Sequence, residues 1–358
     1  MKISTRDSCN QPIAASRSEG PRKTIAEALH RIRSALTLGV EMTMGSSTAK
    51  DRTASCCHRG SCMPEQDLPN GRMFVVGCSR SGTTLLLSRL AGHPAVHAFP
   101  ETGLLLRLFG MRGIPTALAR LGLSLGREQK SLRKALGSIS RLSQSELRDA
   151  NIFIPKRQVY LQAALSASIH FFDQVARLQG CSWWVEKTPR HYYYAHLITE
   201  QVPNTRVIHI VRDGADVVRS IVDRARRHPE LFPRQSDPYY ATAQWNRALR
   251  AHIGCLGKAG HAFVIYEDLI TNPERELSRL ARECGLSWHP NIVAGALNGA
   301  SFVASEEIWK RHAIGPILSD RNPKATVFDR PTTKAITSAL NLKIYCSLVK
   351  GIRASSAV

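Results

Sequence analysis

The run Phe74-Val75-Val76-Gly77-Cys78-Ser79-Arg80-Ser81-Gly82-Thr83-Thr84-Leu85 joins an apolar stretch to two glycines, four hydroxyl residues and one guanidinium. It predicts a short buried strand, a tight loop and a helix start. Backbone N–H groups crowd such a loop, and the helix N-terminus adds partial positive charge, so the expected ligand is an anion. A nucleoside-triphosphate loop would carry Gly-Lys-Ser/Thr at its end. Here Gly82 is followed by Thr83 and Thr84, and the cation, Arg80, sits inside the loop. That favours an anion held by backbone, hydroxyls and one guanidinium over magnesium-dependent β/γ-phosphate chemistry.

Three further positions have chemistry to offer. In Arg206-Val207-Ile208-His209-Ile210-Val211-Arg212-Asp213-Gly214, a β-rich run closes on Arg212 and a helix opens. Ser220 follows eight residues later, just over two helical turns on. Arg212 and Ser220 reach one anion if the chain folds back at the turn; otherwise Arg212 is a solvated strand end. Glu101 lies after a short apolar run from Ala95 to Phe99, at the carboxyl end of a predicted second strand. Ligands of open α/β sheets bind at such ends, although a surface loop also accounts for this glutamate. Lys187 closes the aromatic strand Trp183-Trp184-Val185-Glu186-Lys187, ahead of a helix that Pro189 starts. Alone, it reads equally well as a lysine pointing to water.

Arg80-Ser81-Gly82-Thr83-Thr84-Leu85 resembles the 5′-phosphosulfate loop of sulfotransferases that use 3′-phosphoadenosine 5′-phosphosulfate (PAPS), in the arginine form of the tyrosylprotein and bacterial branches. Arg212 with Ser220 resembles that family's 3′-phosphate site. Glu101, with its Glu-Thr context and its distance from Arg80, is similar to the catalytic glutamate. Lys187 is similar to the Lys-x-Pro lysine that contacts the bridging oxygen. Tyr266-Glu267-Asp268-Leu269 resembles a late Tyr-Glu-x-Leu run whose tyrosine approaches the nucleotide.

The resemblance implies a sulfotransferase moving a sulfuryl group in line from PAPS to an acceptor hydroxyl and releasing adenosine 3′,5′-bisphosphate. Arg80 would neutralise phosphosulfate oxygens. N–H groups from Ser81 through Gly82 and Thr83 to Thr84, with both threonine hydroxyls, would cradle the 5′-phosphate. Arg212 and Ser220 would hold the 3′-phosphate. Lys187 would stabilise the leaving oxygen, and Glu101 would act as general base, with His93 and His97 next in line. No metal is expected. The acceptor is a hydroxyl on a small molecule, lipid, carbohydrate or tyrosine. Trp309-Lys310-Arg311 would fold over the cofactor. The rivals are a P-loop small-molecule kinase and a non-enzymatic module binding anions, glycans or nucleic acid.

These residues require a matching scaffold. The 358 residues suffice for one large α/β domain with appendages. The expected fold is α/β, a P-loop-type parallel β-sheet flanked by helices. Its strands lie at about 73–77, 95–99, 182–187, 206–211 and Ala262–Tyr266, with a helical insertion at about 103–180 that includes the Leu118–Leu125 region. Helices are expected at about 83–92, from Pro189 to about Gln201, at 214–227, at about 239–257 and from Pro273 to about Cys284. The main domain spans 71–330, and a C-terminal helix or tail spans 331–358. Residues 1–70 read as a basic, largely flexible segment with one amphipathic helix on Ile25, Leu29, Ile32 and Leu36.

The net charge is +21, most of it beyond residue 70, because the first 70 residues hold ten basic and seven acidic side chains. A basic cleft suits a cofactor with two phosphates and a sulfate. Nucleic acid is not expected: zinc-finger spacing and an RNP signature are absent, and aromatic residues make up only 6% of the chain. Nine irregularly spaced cysteines argue against a disulfide scaffold. The Cys56-Cys57-His58-Arg59-Gly60-Ser61-Cys62 run lacks a second ligand pair at finger spacing. Without a signal-peptide core or a membrane-length apolar run, the expected compartment is cytoplasmic.

Overall fold

The computed structural model describes residues 70–110, 126–139, 144–156, 158, 160–295 and 328–356. The Ile25–Leu36 stripe, the Cys56–Cys62 run, the Leu118–Leu125 region and Trp309-Lys310-Arg311 lie outside them. Among the described residues no helix is long and apolar enough to cross a membrane.

Five strands form one parallel sheet: β1 (Gly71–Gly77), β2 (Val96–Phe99), β3 (Trp183–Lys187), β4 (Thr205–Val211) and β5 (His261–Ile265), in the order β2-β3-β1-β4-β5. Helix α1 (Thr83–Leu90) follows β1. Among the described residues four helices lie between β2 and β3: α2 (Leu104–Phe109), α3 (Gly126–Ile139), α4 (Gln144–Asp149) and α5 (Leu161–Leu178). A 3-10 turn (Pro189–Tyr194) and α6 (Ala195–Gln201) lead to β4. Then come α7 (Gly214–Arg227), α8 (Pro238–Ile253), β5, α9 (Tyr266–Thr271), α10 (Pro273–Cys284), α11 (Asn291–Ala294), α12 (Arg330–Ala339) and α13 (Leu342–Ser355).

Strand alternation divides the core in two. Phe74, Val76, Phe99, Trp184 and Val207 face one cluster, which α5, α7 and α8 complete with Phe172, Val218, Ile221 and Trp245. Met73, Val75, Val185, Ile208 and Val264 face the other, with leucines of α1 and α10. All seven residues of β1 are buried, as expected of a central parallel strand. Its one charge, Arg72, is matched by Asp173 of α5: Arg72 Nε donates to Oδ1 at 3.0 Å and Nη2 to Oδ2 at 2.8 Å, and Trp184 Nε1 donates to Oδ1 at 2.7 Å.

Two sequence expectations need correction. Tyr266 does not end β5 but begins α9, where Glu267 and Asp268 in the first turn suit a helix N-terminus. The segment from Pro189 to Gln201 is not one helix. His191 N–H bonds the Thr188 carbonyl three residues back, and the tighter winding lasts to Tyr194 before α6 begins.

Candidate functional site

The sheet register brings the predicted residues to one edge. Val75 pairs with Lys187 and Gly77 with Ile210, so the loop after β1, the end of β3 and the end of β4 emerge side by side. Two glycines are sterically required in the loop. A Cβ on Gly77 would lie 2.8 Å from the Ile210 carbonyl. Gly82 has φ of 101°, and its Cβ would lie 2.5 Å from the Tyr266 ring. Arg80 also adopts positive φ, 72°.

Gly82 caps α1 and supplies no side-chain acceptor, so the first N–H groups of α1 are without a side-chain cap. Thr83 is buried and Thr84 partly exposed at that end. Ser81 differs from expectation. Its N–H and hydroxyl both donate to the Cys78 carbonyl, at 3.1 and 2.7 Å, so Ser81 closes the turn and its N–H is already committed. Cys78 is buried, and burial pushes its thiol up to about 12 despite Arg224 and Arg247, leaving it inert.

The two predicted anion sites adjoin. Arg80 Nε donates to Ser220 Oγ at 3.1 Å, and Arg212 Nη1 donates to the Arg80 carbonyl at 3.2 Å. Arg212 lies 4.2 Å above the Tyr266 ring and pairs with Asp216 at 3.3 Å. Its Nε is buried without a hydrogen-bond partner. Trp245 Nε1 donates to the Arg212 carbonyl at 3.0 Å, and Asp213 N–H donates to Glu267 Oε1 at 3.0 Å. Burial raises the Glu267 carboxyl above its ordinary value, against the pull of the Asp213 N–H and Arg212. These bonds fix the turn that carries Arg212.

Lys187 and Glu101 meet: Nζ lies 2.9 Å from Oε2, with the lysine side chain 3% exposed and the glutamate 39%. Lys187 is therefore turned inward, towards the site. The loop that carries Glu101 hangs from buried Glu186. Thr102 N–H and hydroxyl donate to Glu186 Oε1 at 3.1 and 2.8 Å, and the Thr188 hydroxyl donates to the same oxygen. His191 Nδ1 lies 3.1 Å from Oε2, while His191 Nε2 accepts from Leu105 N–H at 3.2 Å. Burial alone would raise the Glu186 carboxyl, but His191 and these hydrogen bonds hold it below its ordinary value.

His93 is not open to an acceptor. Ala95 N–H donates to Nδ1, and Nε2 bonds the Ser287 carbonyl, both at 3.1 Å. His97 sits within β2 with its ring 4.6 Å from Phe99.

The Sulfotransferase family model matches residues 72–290, from the first strand to the region after α10. The chain belongs to the sulfotransferase family. It is 26% identical over 227 residues to protein-tyrosine sulfotransferase 2 of Gallus gallus, covering 62% of this chain and 53% of that one. It is 27% identical over 225 residues to the protein-tyrosine sulfotransferase of Drosophila melanogaster, covering 62% and 39%. The chain thus spans about half the length, or less, of these curated relatives. The sulfotransferase domain of the Synechococcus PCC 7002 olefin synthase is similar at 22% identity, over 77% of this chain and 96% of that one, with a TM-score of 0.49.

Three residues that organise the site of this sulfotransferase-family chain escaped sequence reasoning: Glu186, Trp245 and Glu267. Glu186 did carry a signal. It follows Trp184 at strand period 2, and so shares that tryptophan's buried face. Glu267 lies in the Tyr-Glu-x-Leu run, but its bond from Asp213 N–H, like that of Trp245 to the Arg212 carbonyl, reaches a distant turn that no local pattern marks.

Proposed function

We propose that the protein transfers a sulfuryl group from PAPS to an acceptor hydroxyl. The observation that carries this reading is the inward Lys187–Glu101 pair beside a lysine-free anion loop. The residues present fit PAPS: the uncapped start of α1 suits the 5′-phosphate, and the buried, unpartnered Nε of Arg212 offers a further donor for a second anion. When bound, PAPS supplies the activated sulfuryl group.

Arg80 holds anionic oxygens while it spans to Ser220, so the two phosphate positions are read by one connected set of donors. Arg212 and Ser220 select a 3′-phosphate. Lys187 is buried, where its charge on a developing oxyanion is worth more than in water. Glu101 is the partly exposed member of the pair, so it meets the incoming acceptor and takes the hydroxyl proton. Lys187 holds that carboxylate aimed until the acceptor arrives. Positioning and charge stabilisation do the work, as in phosphoryl transfer. The names of the animal relatives put tyrosine hydroxyls first among acceptors to try.

The test is transfer from radiolabelled PAPS to a panel of tyrosine peptides, phenols, alcohols and sugars, alongside melting temperatures with adenosine 3′,5′-bisphosphate and with ATP-Mg²⁺. Labelled product and stabilisation by the bisphosphate are expected. Stabilisation by ATP-Mg²⁺ alone, without sulfuryl transfer, would overturn the reading in favour of a kinase.

A further inference from the structure

A cluster of histidines and a cysteine that the transfer chemistry does not use lies where β4, β5 and the end of α8 meet. His209 is fully buried within β4, His261 opens β5, His252 lies in the last turn of α8 and Cys255 lies just beyond it. His209 Nε2, His261 Nδ1 and Cys255 Sγ come from three separate elements and lie within 4.8 Å of one another.

The two facing imidazole nitrogens are 3.0 Å apart. Either a hydrogen lies between them or both lone pairs point at one cation. The outer nitrogens of these rings have partners of their own. His209 Nδ1 is 2.8 Å from His252 Nδ1, and His261 Nε2 is 3.5 Å from Thr199 Oγ1. With a hydrogen on each outer nitrogen, both inner nitrogens present lone pairs to the space they share with the sulfur. Metal-bound histidines are oriented in this way, by a bond from the far ring nitrogen.

We propose that His209, His261 and Cys255 bind one divalent ion of the zinc class, with His252 as the outer partner that orients His209. Two imidazole nitrogens and a thiolate are a borderline-soft donor set; calcium and magnesium require oxygens. Ligand atoms around tetrahedral zinc lie about 3.3–3.7 Å apart, so closure needs side-chain shifts of about 1 Å or less. Burial, with the neighbouring His252 and His261, holds His209 well below its ordinary value, and burial brings His252 down to about 3. Burial raises the Cys255 thiol while Lys258 lowers it. On binding, the sulfur–metal bond forms as the thiol proton leaves to solvent. Water supplies the fourth ligand, with access through a cleft of about 460 Å³ that His261 and Lys258 line. The ion would pin the end of α8 to the strand that leads into Arg212. This site goes beyond the sulfuryl-transfer reading and is independent of it.

The test uses the full chain, reduced, stripped with a chelator and titrated with Co²⁺. One equivalent should give a near-ultraviolet thiolate-to-cobalt charge-transfer band and tetrahedral visible bands, all displaced by Zn²⁺. Cys255→Ser should abolish the charge-transfer band. His261→Asn, at the half-exposed rim where folding is least at risk, should weaken Co²⁺ binding about 100-fold or more, and His252→Phe about 10–100-fold. A variant with Cys56, Cys57 and Cys62 all changed to serine should keep the band. A folded wild-type chain without the band, or a band unchanged in Cys255→Ser, overturns the proposal.

Discussion

Glu186→Ala should cost both stability and turnover, by amounts that follow from its bonds. The carboxylate accepts from Thr102 N–H, from the Thr102 and Thr188 hydroxyls, and faces His191 Nδ1, all in a fully buried setting. A stranded buried donor costs about 1–3 kcal/mol, and rotation of the two hydroxyls recovers part of that. The net loss should be about 3–5 kcal/mol, or a fall of roughly 10 °C in Tm. The bonds also hold the loop that carries Glu101, and a displacement of about 1 Å at a reacting group can cost 10²-fold in rate. Turnover should therefore fall about 100-fold, while the Kd for adenosine 3′,5′-bisphosphate stays unchanged, because Arg80, Arg212 and Ser220 hang from other elements. Glu186→Gln keeps an acceptor for Thr102 but turns an amide N–H₂ towards the His191 side, so it should lose less. The folded carboxyl is held below its ordinary value of 4.5, so its contribution is complete above that pH and is lost as the pH falls through the folded value. The Gln variant should lack this part of the acid slope. Thermal melts from pH 3 to pH 7 and steady-state transfer assays make the comparison. A destabilised Ala variant with wild-type kcat would refute the positioning argument.

Other perturbations separate the remaining roles. Glu101→Gln should bind the bisphosphate normally while kcat falls about 10²–10⁴-fold; retained activity would move the base elsewhere. Arg212→Ala should erase the preference for adenosine 3′,5′-bisphosphate over AMP, a charge-assisted contact worth about 1.5–3 kcal/mol, measured by calorimetry with each nucleotide. Asp173→Ala strands buried Arg72 without its bidentate partner and should cost about 3–5 kcal/mol in chemical denaturation.

What the sequence made legible follows the range of each interaction. The strand, loop and helix around Arg80 and the 214–227 helix are written in contiguous residues, and the structure has these elements. The contact between Lys187 and Glu101 joins residues 86 apart, and only strand order brings them together. The N–H of Ser81 closes the turn on the Cys78 carbonyl, a partner that the loop's residue types alone do not reveal. Strand period puts Glu186 on the buried face of Trp184, but its three donors come from loops that no periodicity links.

The strand order β3-β1-β4 also bears on how such a site can be altered. The proposed leaving-oxygen lysine, the loop and the proposed 3′-phosphate arginine stand at the ends of three neighbouring strands, each followed by its own helix, so each is a separately replaceable cassette on a shared platform. Nucleotide preference could be redesigned within the segment from β4 to α7 without reshaping the loop after β1. The proposed base has no such freedom. Its loop is tethered to β3 through Glu186, so any graft that carries Glu101 into another scaffold has to bring Glu186, Thr188 and His191 with it.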